Sequence, residues 1–128
     1  ICNDLERIGD LYYQISMTIQ NLEDHQRSLS DHQKLRLREM VDLLDQAFAE
    51  MNINLKSNQY NKISLSKALS IEDSINDFRN SLRTENNIEL GTSGYNVQTA
   101  MSYNNLFSTM ERIGDHIINV QEAIKGQI

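Results

Sequence analysis

The chain contains no proline in its 128 residues. Proline removes a backbone donor and clashes with the preceding helical turn, so its absence leaves the chain free to run long uninterrupted helices. The apolar residues use that freedom with one spacing. Leu5, Ile8, Tyr12, Ile15, Ile19 and Leu22 follow each other in steps of three and four, the stripe of a helix packed in a bundle. The pattern predicts a first helix from about Asn3 to Asp24. Ser30 and Gln33 read as a capping box, with Asp31 favouring the positive end of the helix dipole, and open a second helix that runs to about Lys56. Its stripe is Leu37, Val41, Leu44, Phe48, Met51 and Leu55. Ser57-Asn58-Gln59 reads as a break. A third helix carries Ala68, Ile71, Ile75, Phe78 and Leu82 to about Leu90, and its early part, Tyr60 to Leu65, fits the stripe poorly. In Gly91-Thr92-Ser93-Gly94, Gly91 suits a C-cap and Thr92 or Ser93 an N-cap. The last helix spans about Tyr95 to Lys125, with Tyr103, Leu106, Met110, Ile113, Ile117, Val120 and Ile124 as its stripe and Gly126 at its end. No segment alternates with the period of a strand. Four long helices with short connections predict an all-α antiparallel bundle.

Charge and cysteine content narrow the function. The net charge is −6, the wrong sign for a module that neutralises nucleic-acid phosphates or docks on anionic lipid. One cysteine, Cys2, excludes an internal disulfide and a cysteine-based zinc site and suits a reducing compartment. No apolar run approaches the ~18 residues of a membrane span. The first residue is Ile1 and a helical pattern is running by Leu5, so the chain is expected to be a piece of a longer one.

One word occurs twice. Glu6-Arg7-Ile8-Gly9-Asp10 recurs identically as Glu111-Arg112-Ile113-Gly114-Asp115. The register extends outward, matching Leu5 to Met110, Tyr12 to Ile117, Ile15 to Val120 and Ile19 to Ile124. Identical words at matched helical phase indicate an internal repeat. Ile8 and Ile113 belong to the core seam. Glu6 and Asp10 share one helix face, as do Glu111 and Asp115, because residues four apart are neighbours on a helix. Placing Met110 and Ile113 in the core turns those acids toward solvent. Singly, such a pair is an ordinary solvated face. Two like charges one turn apart repel, and an arginine, water or a hard cation offsets the repulsion. Gly9 and Gly114 each cost about 1 kcal/mol relative to alanine inside a helix. Close approach of a neighbouring helix would compensate, and Arg7 and Arg112 are placed to reach acids on that neighbour.

Glu-Arg-Ile-Gly-Asp followed by an apolar helix resembles the signature of the PhoU family of phosphate-transport regulators. That resemblance implies spectrin-like three-helix repeats, each carrying the word on its third helix, and metal clusters on surface carboxylate patches. It makes residues 1–25 the last helix of a first repeat and residues 30–126 a complete second repeat. A second acidic motif is then expected on the preceding helix, in Ile71-Glu72-Asp73-Ser74-Ile75-Asn76, with Glu72 and Asn76 at the two ligand positions. Asn76 departs from the family pattern, since an amide is a neutral ligand. Asp73 and Asp77 lie nearby. The implied metal ligands are Glu111, Asp115, Glu72 and Asn76, with Glu6 and Asp10 as a second set lacking its partner motif. The metal would be iron, zinc, manganese or magnesium. Asp4-Leu5 before the first word and Leu11-Tyr12-Tyr13-Gln14 after it resemble the PhoU-like C-terminal domain of bacterial sodium/phosphate cotransporters. The implied setting is cytoplasmic, tethered to a membrane phosphate transporter. The alternative is a free-standing PhoU protein acting with an ABC phosphate transporter and a sensor kinase. Without the first repeat's other helices, the first helix keeps an uncovered apolar face, Leu11 and Tyr13 included, and a homodimer is expected.

Rival chemistries need residues that are missing or badly placed. A carboxylate-bridged di-iron bundle needs Glu-x-x-His on two helices, and no Glu here has His three residues on. His25 and His32 fall in or beside the first loop, and His116 beside Asp115 is a poor phosphotransfer histidine. No glycine-rich phosphate loop or nucleophile constellation is visible, so the chain is expected not to be an enzyme. A helical interaction module without metal is the remaining alternative.

Overall fold

The computed structural model describes residues 1–92 and 94–126. Four α-helices form one bundle: α1 (Cys2–Asp24), α2 (Asp31–Leu55), α3 (Ser66–Leu90) and α4 (Val97–Gly126). The described residues contain no strand. The expected breaks all occur. At the first, the Ser30 hydroxyl accepts from the Gln33 backbone N–H while the Gln33 side chain accepts from the Ser30 N–H, completing the capping box. At the second, a 3₁₀ turn (Tyr60–Lys62) takes up the stretch that fitted no helical stripe. The Tyr60 hydroxyl donates to the Leu55 carbonyl, tying this turn back to the end of α2. At the third, Asn96 caps α4, its side-chain oxygen accepting from the Thr99 N–H at 3.0 Å. Thr92, a proposed cap, instead donates its hydroxyl to the Glu89 carbonyl at the end of α3. Ser93, the other proposed cap, lies outside the described residues.

Helix α4 is the axis of the molecule. It packs against α1, α2 and α3, and α2 and α3 also pack on each other. A helix with neighbours on three sides must be apolar on three sides. Tyr103, Leu106, Phe107, Met110, Ile113, Ile117, Ile118, Val120 and Ile124 are all buried. Side-chain bonds between helices fix their directions. Arg36 of α2 pairs with Glu85 of α3 at 2.7 Å near one end and Glu50 approaches Lys67 at 3.8 Å near the other, so α2 and α3 are antiparallel. Asn54 donates to Gln121 at 2.6 Å, and Gln33 reaches Tyr95 just before α4, so α2 and α4 run the same way. Asp4 of α1 pairs with His116 of α4 at 3.0 Å, while Met17 and His25 line a groove with Gln98 and Met101, so α1 and α4 are antiparallel. The arrangement is up-down-up-down.

The apolar stripe of α4 agrees with the expected one, and that of α3 agrees except at Phe78. Those of α1 and α2 are rotated. On α1 the buried residues are Ile8, Leu11 and Leu22, while Leu5, Tyr12 and Ile19 are exposed. On α2, Met40, Leu44, Ala47 and Met51 are buried and Val41 is exposed. Phe48 and Phe78, expected to be buried, are half-buried against the core. Phe48 lies 6.3 Å from Tyr12, and Arg36 sits over the Phe78 ring at 4.5 Å.

Candidate functional site

The second copy of the repeated word sits where α4 meets α3. Gly114 faces Ile75 of α3: a Cβ there would lie 3.2 Å from Ile75 Cδ1 and 3.4 Å from its Cγ2. The glycine therefore allows the close approach that its helix-propensity cost suggested. Gly9, at the matching place in the first copy, has nothing within 4 Å of such a Cβ. The same word does different work because α1 has no counterpart of α3 beside it.

That close approach gathers acids across the seam. Glu72 on α3 is within hydrogen-bonding reach of Asp115 on α4. Burial raises the Glu72 carboxyl above its ordinary range, and the charges of Asp115, Asp73 and Glu122 push the same way. Burial also raises Asp115, against the lowering effects of the Glu72 hydrogen bond and the nearby His116, Arg79 and Arg112. Glu111 is raised by burial and by the charge of Asp115, opposed by Arg79, Arg83 and Arg112. All three carboxyls are thus held above their ordinary ranges at one seam.

The expectation that these acids face solvent is corrected. The Glu111 side chain keeps only 12% of its exposure, and its ion pair is with Arg79 of α3 at 3.7 Å. The stripe argument treated the side of α4 away from Met110 and Ile113 as free, but α3 covers it. Arg79, absent from the expected site, is the cation that crosses the seam. Arg7 and Arg112, expected to reach acids on a neighbour, form no ion pair among the described residues.

Asn76 stands one turn along α3 from Glu72, on the same face. Its side-chain oxygen is buried and has no hydrogen-bond partner. An amide oxygen removed from water without a partner costs free energy, on the order of 1–3 kcal/mol. Ser108, one turn before Glu111 and Arg112 on α4, has a buried hydroxyl oxygen in the same condition. Among the described residues no three His, Cys, Asp or Glu side chains group as a metal site. What the seam offers is two adjoining carboxylates, a third acid held by arginine, and an unpartnered amide oxygen. All are hard oxygen donors, suited to a cation that completes its shell with water.

The first copy is arranged differently. Glu6 and Asp10 are exposed on α1. Asp4 pairs with His116, so the two words lie alongside each other on antiparallel helices. Together they bound a concavity of about 410 Å3 lined by Arg7, Asp10, Leu11, Gln14, Arg112, Asp115 and His116. His116 binds Asp4 through Nδ1 and so fastens α1 to α4. Asp73 and Asp77 are exposed.

No helix among the described residues is long and apolar enough to cross a membrane. Comparison with protein-family models, curated proteins and solved structures gave no match.

Proposed function

We propose that this chain is a regulatory helical domain of phosphate transport, of the kind its duplicated word resembles, and that the α3–α4 seam is a cation patch. The observation behind the patch is the pairing of Glu72 with Asp115, beside the unpartnered oxygen of Asn76. Two carboxylates placed together in a partly desolvated seam are stabilised by any cation that neutralises both. Divalent manganese, iron, zinc or magnesium, or trivalent iron, supplies that charge, and Asn76 supplies a neutral donor. With few protein ligands and a partly open surface, the affinity is weak and chelators remove the ion. Glu111 serves the patch through charge while its carboxylate is engaged by Arg79.

The setting we favour is a cytoplasmic domain tethered to a sodium/phosphate cotransporter. The apolar outer face of α1 and the cation patch would then be surfaces for contact and control. A free-standing regulator of an ABC phosphate transporter and a sensor kinase uses the same surfaces.

Calorimetric titration of metal-free protein with manganese, iron and zinc tests the patch. The parent should release or take up heat saturably, and Glu72→Gln with Asp115→Asn should abolish it. A double variant that binds as the parent does places the site elsewhere. If neither binds, the chain is a metal-free interaction module, and the repeated word serves packing through Gly114.

A further inference from the structure

Helices α1 and α2 leave one face of the bundle open. Both pack on α4, α1 antiparallel to it and α2 parallel, so they run antiparallel to each other. They meet where Tyr12 stacks on Phe48 at 6.3 Å, and the charge of Asp45 acts on the same phenol. That contact sets the register. Seven residues make about two helical turns, so Leu5 stands level with Leu55, and Ile19 level with Val41. Leu5, Tyr12, Ile19 and Val41 are each between 41% and 45% exposed. Phe48 and Leu55 are half-buried. Three apolar layers, each with one residue from either helix, thus form a strip open to solvent.

Apolar residues every seven positions on both walls suit packing against further helices. The charges beside the strip say which helices. Arg7, the one cation of α1, lines the concavity on that helix's other flank, so what α1 offers across this face is acidic. Four residues on from Tyr12 and Ile19 are Ser16 and Glu23, and beside Val41 on α2 are Arg38 and Asp45, all four exposed. Glu23 and Arg38 form no ion pair among the described residues. A twofold axis along the helices lays α1 of one copy on α2 of a second, antiparallel as they are within one copy. The same register then sets Glu23 across from Arg38 of the second copy and the Ser16 hydroxyl across from the Asp45 carboxylate. No like charges meet at those levels. A twofold across the helices would instead stack α1 on α1 and part the charged pair. Two helices of 23 and 25 residues side by side make a face roughly 35 Å long and about 20 Å wide, on the scale of the ~800 Å2 per partner that stable complexes bury.

We infer that the α1–α2 face is the interface of a homodimer in which α1 of each copy lies along α2 of the other. The interface is isologous, so each residue contact occurs twice. It does not depend on the cation patch, which lies on the α3–α4 seam.

Sedimentation of the chelator-treated protein at rising concentration tests this. The parent should dimerise, and Val41→Glu, which sets a charge in the apolar strip, should weaken dimerisation by about tenfold or more. Met101→Glu, at a more exposed apolar site on α4, should leave it unchanged. Glu23→Arg and Arg38→Glu each bring like charges together twice in the symmetric dimer and should each weaken it about tenfold at low salt. Mixing those two single variants should restore dimerisation, because a mixed dimer pairs opposite charges at both contacts. A charge pair within one chain could not be restored by mixing. Circular dichroism checks that each variant is folded. The proposal is overturned by a parent that stays monomeric, which would leave the face to a helix of another protein. It is equally overturned if Val41→Glu or the single charge variants dimerise as the parent does, or if mixing restores nothing.

Discussion

At the scale of single residues, Gly9 and Gly114 show how one word acquires two roles. Both are helical glycines, and each gives up about 1 kcal/mol of helix propensity relative to alanine. At Gly9 a methyl group meets open space, so Gly9→Ala should stabilise the protein by up to about 1 kcal/mol in urea melts. At Gly114 it presses on Ile75, and Gly114→Ala should lose that gain to overpacking, leaving the protein no more stable or less so. Equal stabilisation at both sites would show that the α3–α4 approach does not need glycine. The carboxyls make a second residue-scale prediction. Glu72 has its pKa raised on folding, so the native state takes up its proton at a higher pH than the unfolded chain does. Its cost to metal-free stability is therefore full at neutral pH and relieved as pH falls through the raised value toward the ordinary 4.5. Glu72→Gln, which keeps a donor for Asp115, should stabilise the metal-free protein at about pH 7, and the gain should shrink in mildly acidic buffer. A pH-independent difference between variant and parent melts would contradict the charge argument. The sequence showed which acids share a helix face. It did not show Arg79 crossing to Glu111, because that contact depends on how α3 is rotated against α4.

At the scale of helices, the stripes were legible in proportion to the number of neighbours. Helix α4 touches three others, and its expected seam from Tyr103 to Ile124 is buried throughout. Helix α1 packs chiefly on α4, so it buries the narrower set Ile8, Leu11 and Leu22. Tyr12 fitted the three-four spacing equally well, yet it lies 45% exposed with its ring toward Phe48. Spacing alone cannot choose between two stripes that differ by one residue when both positions are apolar. The expected consequence is asymmetric. Ile113→Ala, at a fully buried site, should cost about 2–5 kcal/mol in denaturant melting, whereas Tyr12→Ala should cost clearly less. Comparable losses would mean that α1 turns Tyr12 toward the core. The buried polar contacts were not legible at all. Tyr95 donates to Asn86, Asn86 donates to the Ala100 carbonyl, and Gln33 donates to Tyr95, closing one end of the bundle. In sequence each of these is an ordinary polar residue, and only the tertiary arrangement makes them partners.

For the whole molecule, the number of helices, their breaks and the all-α class followed from the apolar period and the absence of proline. Helix α1 is one of the places where the molecule has apolar surface without cover: Tyr13 is 66% exposed and Met17 51%, and Leu5 and Ile19 are exposed too. A symmetric dimer is the simplest way to bury such a face, and sedimentation at rising concentration should show self-association of this chain. A single monomeric species throughout would leave that face for a different contact. The central claim remains the cation patch where α3 and α4 meet. Its most direct measurement is a titration of metal-free, isotope-labelled protein with manganese, whose unpaired electrons broaden the signals of nearby nuclei. The account predicts broadening that starts at residues 72–76 and 111–115 and is absent from Glu72→Gln with Asp115→Asn. Broadening spread evenly over exposed acids such as Asp31, Asp42 and Asp45, or confined to Glu6 and Asp10 on α1, would contradict it.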